Sequence, residues 1–232
     1  MAESEDVKVL GAWPSPFVMR ARIALNLKKV DYEFIAETMH PKSELLLKSN
    51  PVYKKIPVLF HKGNPICESL IIVQYIDETW TSVHPILPAD PYDRAIARFW
   101  AVYIDDKWNP RMREYNMANT DEERAAVAEQ IFAGAKLLEE AFQTCGKGGK
   151  WFGGDAVGYV DIVLGSWLGW IRVTEKMSGL KILDGDKFPQ LAAWADRVCA
   201  EEAVKSVMPE INKMLEFGAT MMARLKAASS AK

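Results

Sequence analysis

The rhythm of the chain changes near residue 82, and that change limits the fold more than any other feature of its 232 residues. Before it, short runs of β character alternate with helix-spaced segments. Val7 to Trp13 is a short apolar run closed by Trp13-Pro14-Ser15-Pro16. Phe17 to Lys28 reads as a helix, apolar at Val18, Ala21, Ala24 and Leu25. Tyr32-Glu33-Phe34-Ile35 is a second strand, and Ser43 to Lys48 a short helical patch. Val58-Leu59-Phe60 and Pro65-Ile66-Cys67 flank Lys62-Gly63-Asn64, a hairpin signal. Ser69 to Trp80 returns to helical spacing through Leu70, Val73 and Ile76. The order β-α-β-α-β-β-α is a βαβ unit followed by a hairpin and a helix.

Beyond residue 82, Pro85, Pro88 and Pro91 punctuate a linker, and nothing after it reads as a strand. Asp93 to Lys107 is helical, with Ile96, Trp100, Tyr103 and Ile104 on one side and Pro110 set to break or kink it. Thr120 and Glu123 form a capping box opening a helix with the stripe Val127, Ile131, Leu138 and Phe142, ended by Gly146, Gly148 and Gly149. Further helices are expected at about Tyr159–Met177, Pro189–Glu202 and Pro209–Lys226. The expected fold class is therefore α/β plus all-α. A small α/β domain spans residues 1–82, a linker 83–92, and an all-helical domain 93–232.

Hydrophobic residues make up 49% of the chain, enough for a packed core and too many for a disordered one. The 29 basic and 31 acidic side chains give a net charge of −2, with no long basic run, so no nucleic-acid partner is expected. Cys67, Cys145 and Cys199 fit no disulfide framework, and His40, His61 and His84 lack metal-site spacing, so no metal is expected. The start, Met-Ala-Glu-Ser-Glu-Asp, has no apolar signal region, and no stretch reaches the roughly 18 apolar residues of a membrane span. A reduced, cytoplasmic protein with no membrane partner is the expectation.

Three short segments carry candidate chemistry. Ser15 stands between a strand and a helix start, with Pro on both sides restricting the backbone. There it would feel the positive end of the helix dipole and the unpaired N–H groups of the first turn. No Gly-x-Ser-x-Gly and no signalled His partner accompany it, so it is not read as a hydrolase nucleophile. What such a hydroxyl does without a base is donate to an anion, and a bound thiolate suits it; a plain N-cap would also explain the residue. Ile56-Pro57, leading into a strand, is a candidate cis peptide that would turn the Ile56 main chain outward for an extended peptide to pair with. A Pro that merely starts an edge strand is the alternative. At Glu68-Ser69, Ser69 reads as an N-cap whose first-turn N–H groups suit a carboxylate, while Glu68 suits an ammonium. A plain capped helix would explain that pair as well. Lys42 and Lys55 are placed to meet a second carboxylate, or are simply solvated.

Taken together these residues resemble the glutathione transferases, and within them the plant tau class. The likeness runs through Trp13-Pro14-Ser15-Pro16-Phe17, Lys54-Lys55-Ile56-Pro57-Val58-Leu59 and Cys67-Glu68-Ser69-Leu70. It continues through Arg98-Phe99-Trp100-Ala101, Phe152-Gly153-Gly154-Asp155 and Val160-Asp161-Ile162, covering nearly the whole chain in order. The resemblance implies a thioredoxin-like domain followed by a helical one, and conjugation of glutathione sulfur to hydrophobic electrophiles in detoxification. It implies that Ser15 hydrogen-bonds the thiolate, that Glu68 and Ser69 hold the γ-glutamyl group, and that Ile56 meets the cysteinyl backbone. Lys42 and Lys55 would face the glycyl carboxylate, with Pro57 as the family's cis-proline. It further implies a homodimer, with glutathione as co-substrate and no permanently bound cofactor. Ser rather than Cys at position 15 points to conjugation instead of thiol transfer.

The electrophile pocket implied by the resemblance is apolar and lies between the domains. Its candidate walls are Trp13, Pro14, Phe17, Trp108, Trp170 and Phe217, with Arg113 as a polar contact; Trp100, Trp167 and Trp194 fit helix-core positions instead. Two departures from the family pattern stand out. Gly158 replaces the hydroxyl cap before Val160-Asp161, and Ala12 stands where many tau relatives carry an aromatic, which bears on substrate range. Glutathione-dependent hydroperoxide reduction, a non-catalytic ligandin-type carrier and a structural interaction module are the alternative readings.

Overall fold

The computed structural model describes residues 6–38, 40–83 and 85–230. The acidic start before Asp6 and His84 lie outside the described residues, as do Met39 and the last two residues. In order, the elements begin with β1 (Val7–Gly11), α1 (Pro16–Leu27), β2 (Glu33–Ala36), α2 (Glu44–Ser49), β3 (Val58–His61), β4 (Asn64–Cys67) and α3 (Ser69–Thr79). There follow α4 (Pro91–Tyr103), a π-helical turn (Ile104–Trp108), α5 (Asn109–Met117), α6 (Asp121–Gly146), α7 (Tyr159–Gly165), α8 (Leu168–Ser178), α9 (Pro189–Ala200), α10 (Glu202–Lys205) and α11 (Ile211–Ser230).

The sheet order is β2-β1-β3-β4, with β1 and β2 parallel and the other pairs antiparallel. Alternation along β1 sends neighbouring side chains to opposite faces. Val7 and Val9 join Leu59 under α1 and α3, while Leu10 joins Val58 and Leu46 of α2 on the other side. The first face continues without a gap into the helical half, whose core includes Ile104, Ile131, Leu138, Ile162, Leu191 and Trp194.

Several helices end elsewhere than the periodicity predicts. The helix expected over 93–107 starts at Pro91, capped by the Asp90 carboxylate, and passes into the π turn before Pro110. The helix expected over 159–177 is two helices. Ser166 interrupts it, with a hydroxyl that donates back to the Val163 carbonyl (2.8 Å), a local bond that competes with the helical ladder. The last helix starts at Ile211 rather than Pro209, with the Glu210 carboxylate accepting from the Asn212 and Lys213 N–H groups. The Thr120–Glu123 capping box of α6 forms in both directions (3.1 and 3.3 Å). Trp194 is fully buried, whereas Trp100 and Trp167 are only half-buried against the core. Among the described residues, no group of three His, Cys, Asp or Glu is placed to hold a metal ion, and no helix is long and apolar enough to cross a membrane.

Candidate active site at the end of the sheet

One row of the sheet brings the three candidate segments to the same edge. Leu10 of β1 pairs with Val58 of β3, and Val58 pairs with Cys67 of β4. Leaving that row, β1 runs out into the loop that carries Ser15, β3 begins just after Pro57, and β4 hands over to Glu68. Residues 15, 56–57 and 68 are far apart in sequence, yet antiparallel pairing makes them neighbours.

Ser15 caps α1. Its N–H donates to the Ala12 carbonyl (3.1 Å), closing a tight turn through Trp13-Pro14, and its Oγ accepts from the Val18 N–H (3.3 Å). The cap and the anion-donor roles are therefore compatible: the oxygen faces the helix, and the hydroxyl hydrogen stays available to a ligand. The residue is half-buried. The Ile56–Pro57 peptide is cis. Asn50 orders the loop before it, accepting from the Tyr53 N–H (3.1 Å) and donating to the Lys55 carbonyl (2.9 Å). The Lys42 ammonium donates to the Lys54 carbonyl (2.8 Å), so Lys42 is tied to the same loop as the exposed Lys55.

Ser69 does not cap α3. Glu68 takes the cap position with φ 71°, its side chain free of any capping bond, and Ser69 is the first helical residue. The Ser69 hydroxyl is buried and accepts from the guanidinium of Arg20 (3.2 Å). Arg20, which the sequence reading did not single out, holds Ser69 from beneath. Fully buried, it also makes a two-toothed pair with Asp105 of the π turn (2.7 and 2.6 Å) and donates to Ser166 Oγ (3.1 Å) and the Val163 carbonyl (3.4 Å). The signal was present but faint: Arg20 falls on the buried face of α1 with Pro16, Ile23 and Ala24, where a charge needs a partner. Trp167 donates its indole N–H to the same Asp105 (3.3 Å).

Of the predicted pocket walls, four come together. The Trp170 indole donates to the Pro14 carbonyl (2.8 Å), and Phe217 meets Trp13 and Trp170 edge-on, with ring centres 5.5 and 6.2 Å apart. Phe17 stands apart from this cluster, packing edge-on to Trp167 (5.3 Å) under the Arg20 guanidinium (5.0 Å). Trp108 is no pocket wall. It is 1% exposed, and its indole donates to the Ile131 carbonyl (3.0 Å), because the π turn rotates it into the helical core. Arg113 is exposed on α5, and no hydrogen bond or ion pair among the described residues ties it to the cluster. Burial pushes the thiols of Cys67, Cys145 and Cys199 up from their ordinary range, so none is poised as a thiolate.

Comparison with known proteins covers both halves. The family model described as the glutathione S-transferase N-terminal domain matches residues 5–78, and that of the C-terminal domain matches residues 92–202. Glutathione S-transferase U17 of Arabidopsis thaliana is 59% identical over 215 residues, covering 92% of this chain and 95% of the relative. The crystal structure of a tau class glutathione S-transferase from mango, Mangifera indica, superposes with a TM-score of 0.91 at 58% identity, covering 93% of this chain and 98% of the other. A rice GST1 structure in complex with glutathione gives 0.87 at 33% identity, over 96% and 99%.

Proposed function

The chain belongs to the tau class of the glutathione S-transferases, and from that premise we propose that Ser15 holds the glutathione thiolate for attack on a hydrophobic electrophile. The protein is a glutathione transferase; the residue roles are the proposal. The observation that carries them is the shared sheet edge, where a capping hydroxyl with its hydrogen free stands beside the Ile56 main chain and Glu68. In this reading residues 1–82 bind glutathione, 83–92 link, and 93–232 supply the electrophile side. The Ile56 main chain pairs with the cysteinyl unit, Glu68 meets the γ-glutamyl ammonium, Ser69 its carboxylate, and Lys42 and Lys55 the glycyl carboxylate. Trp13, Pro14, Trp170 and Phe217 wall the electrophile pocket.

The Ser15 hydrogen and the amide end of α1 both favour the anion over the thiol. Lowering the thiol pKa by two units requires about 2.7 kcal/mol of such preference. The thiol proton leaves to solvent, sulfur forms a bond to the electrophilic carbon, and a halide leaves with the bonding pair. The assay is glutathione-dependent turnover of 1-chloro-2,4-dinitrobenzene. Ser15→Ala is expected to lower kcat/KM about a hundredfold, as loss of one aimed donor does, and to shift the pH–rate profile upward. Turnover at the wild-type rate would overturn the assignment.

A homodimer in the cytoplasm completes the proposal. Ile71 of α3 and Tyr92, Phe99 and Val102 of α4 are each at least 50% exposed, and the Arg98–Gln74 bond (2.8 Å) lays the two helices side by side. A broad apolar face of this kind supports a second copy as its cover. Sedimentation equilibrium should give twice the 26.1 kDa chain mass; a monomer at micromolar concentration would refute it.

A further inference from the structure

The aromatic cluster beside Ser15 has one charged member. Lys213 lies in the first turn of α11, and its ammonium sits 4.4 Å from the centre of the Trp13 ring. Phe217, four residues on and so on the same helix face, packs against that ring in a T-shaped contact. Trp13 thus has a cation and an aromatic ring against it, both presented by α11. Ser15 is two positions beyond Trp13, so their Cα atoms are no more than about 7 Å apart. Lys213 therefore belongs to the aromatic cluster built on the loop that carries Ser15, the cluster against which an electrophile's ring would lie.

Nothing on its own helix neutralises Lys213. Glu210 uses its two carboxylate oxygens on the N–H groups of Asn212 and Lys213, each at 2.9 Å. Among the described residues no ion pair joins Lys213 to an acid, and Glu216 points into solvent one turn further on. Contact with an aromatic ring is not in itself the signal, because Lys187 lies 4.2 Å from the Phe132 ring without any such neighbourhood. The position is what matters: a cation without an acid partner, at the rim of an apolar cluster, beside the residue that holds the nucleophile.

We infer that Lys213 makes the electrophile site select for compounds carrying a carboxylate or similar anionic group on an apolar ring. The inference rests on the transferase reading of Ser15 and names the substrate class of that same site. At an exposed rim the attraction is modest, so the expected selectivity is about fivefold rather than a thousandfold.

The experiment compares 1-chloro-2,6-dinitrobenzene with 4-chloro-3,5-dinitrobenzoate, which share a leaving group and the two nitro groups flanking it and differ by the carboxylate. The quantity read is the ratio of kcat/KM for the anionic over the neutral compound, in wild type, Lys213→Met and Lys213→Glu. Lys213→Met keeps an apolar stem on Trp13 and should lower the ratio about fivefold; Lys213→Glu should lower it further. In the wild type the ratio should also shrink as ionic strength rises from about 0.02 to about 0.5 M, since an exposed charge is screened. A ratio that both variants leave unchanged, or that salt does not move, overturns the inference, since a packing role would affect both compounds alike. If wild type turns over neither compound, the transferase reading fails instead. The ratio of dissociation constants for the two S-aryl glutathione conjugates, measured by calorimetry in the same variants, then decides the role of Lys213.

Discussion

In the proposed glutathione site, Glu68 is the residue where stability is set against binding. Its φ of 71° is unusual for a residue with a side chain, and conformations of this sort cost of order 1–3 kcal/mol. The position tolerates the cost because β4 must turn sharply into α3 while presenting a carboxylate at the sheet edge. Ser69, next in the chain, is held from below by Arg20, so the turn cannot relax without breaking a buried bond. Glu68→Gly removes the strain and the charge together. The two effects separate in measurement: thermal unfolding should show a gain of about 1 kcal/mol, the strain relief outweighing the added freedom of the unfolded chain. If Glu68 meets the γ-glutamyl ammonium as proposed, the KM for glutathione should rise in the same variant. A variant both less stable and unaltered in KM would refute both roles.

At the scale of elements, α6 and the π turn meet through a residue that has no side chain. A Cβ at Gly134 would run into the Trp108 indole and come within 3.0 Å of the Tyr103 hydroxyl. Trp108 cannot yield easily, since its indole N–H is tied to the Ile131 carbonyl on the same helix. Gly134→Ala should therefore destabilise by about 1–2 kcal/mol, overpacking outweighing the roughly 1 kcal/mol that Ala gains in a helix. Chemical denaturation reads the sign directly, and a stabilised variant would show that the indole moves aside. The same contact explains what could and could not be read from the sequence. The strands, α1, α3 and the capped start of α6 were legible because each follows from local periodicity and caps. Ser15, Ile56, Pro57 and Glu68 were legible as separate candidates, but the pairing of Leu10, Val58 and Cys67 that makes them neighbours is non-local. The π turn left no mark in the spacing, so Trp108 read as a pocket wall when it belongs to the core. Ser166 divided a helix through a side-chain bond that periodicity does not see. Gly158 lacks a hydroxyl, yet Asp161 holds that helix start, accepting from the N–H groups of Phe152, Gly153 and Gly158 and from the Trp194 indole.

Across the whole molecule, the two halves are joined by polar bonds buried inside a continuous apolar core. The linker is drawn onto α3 by Asp77, which accepts from the Ile86 and Leu87 N–H groups (2.8 and 2.9 Å) and pairs with Lys28 (2.7 Å). Tyr159 of α7 donates to the Leu70 carbonyl (3.1 Å) and accepts from Gln74 (3.2 Å). Burial pushes its pKa up to about 12, so it stays a donor throughout the physiological range. Arg20 is the central tie, reaching Ser69 in one half and Asp105, Val163 and Ser166 in the other. A buried ion pair of this kind adds little over a well-packed apolar pair, but removing one partner leaves an uncompensated charge. Asp105→Ala should therefore cost about 3–5 kcal/mol, while the double variant Arg20→Leu with Asp105→Leu should cost less than Asp105→Ala alone. Glutathione reports on the same tie from the other end. With Asp105 gone, Arg20 is no longer fixed under Ser69, so the KM for glutathione should rise although residue 105 lies in the helical half. Asp105→Ala with full stability and an unchanged KM would mean that the two halves meet through apolar packing alone.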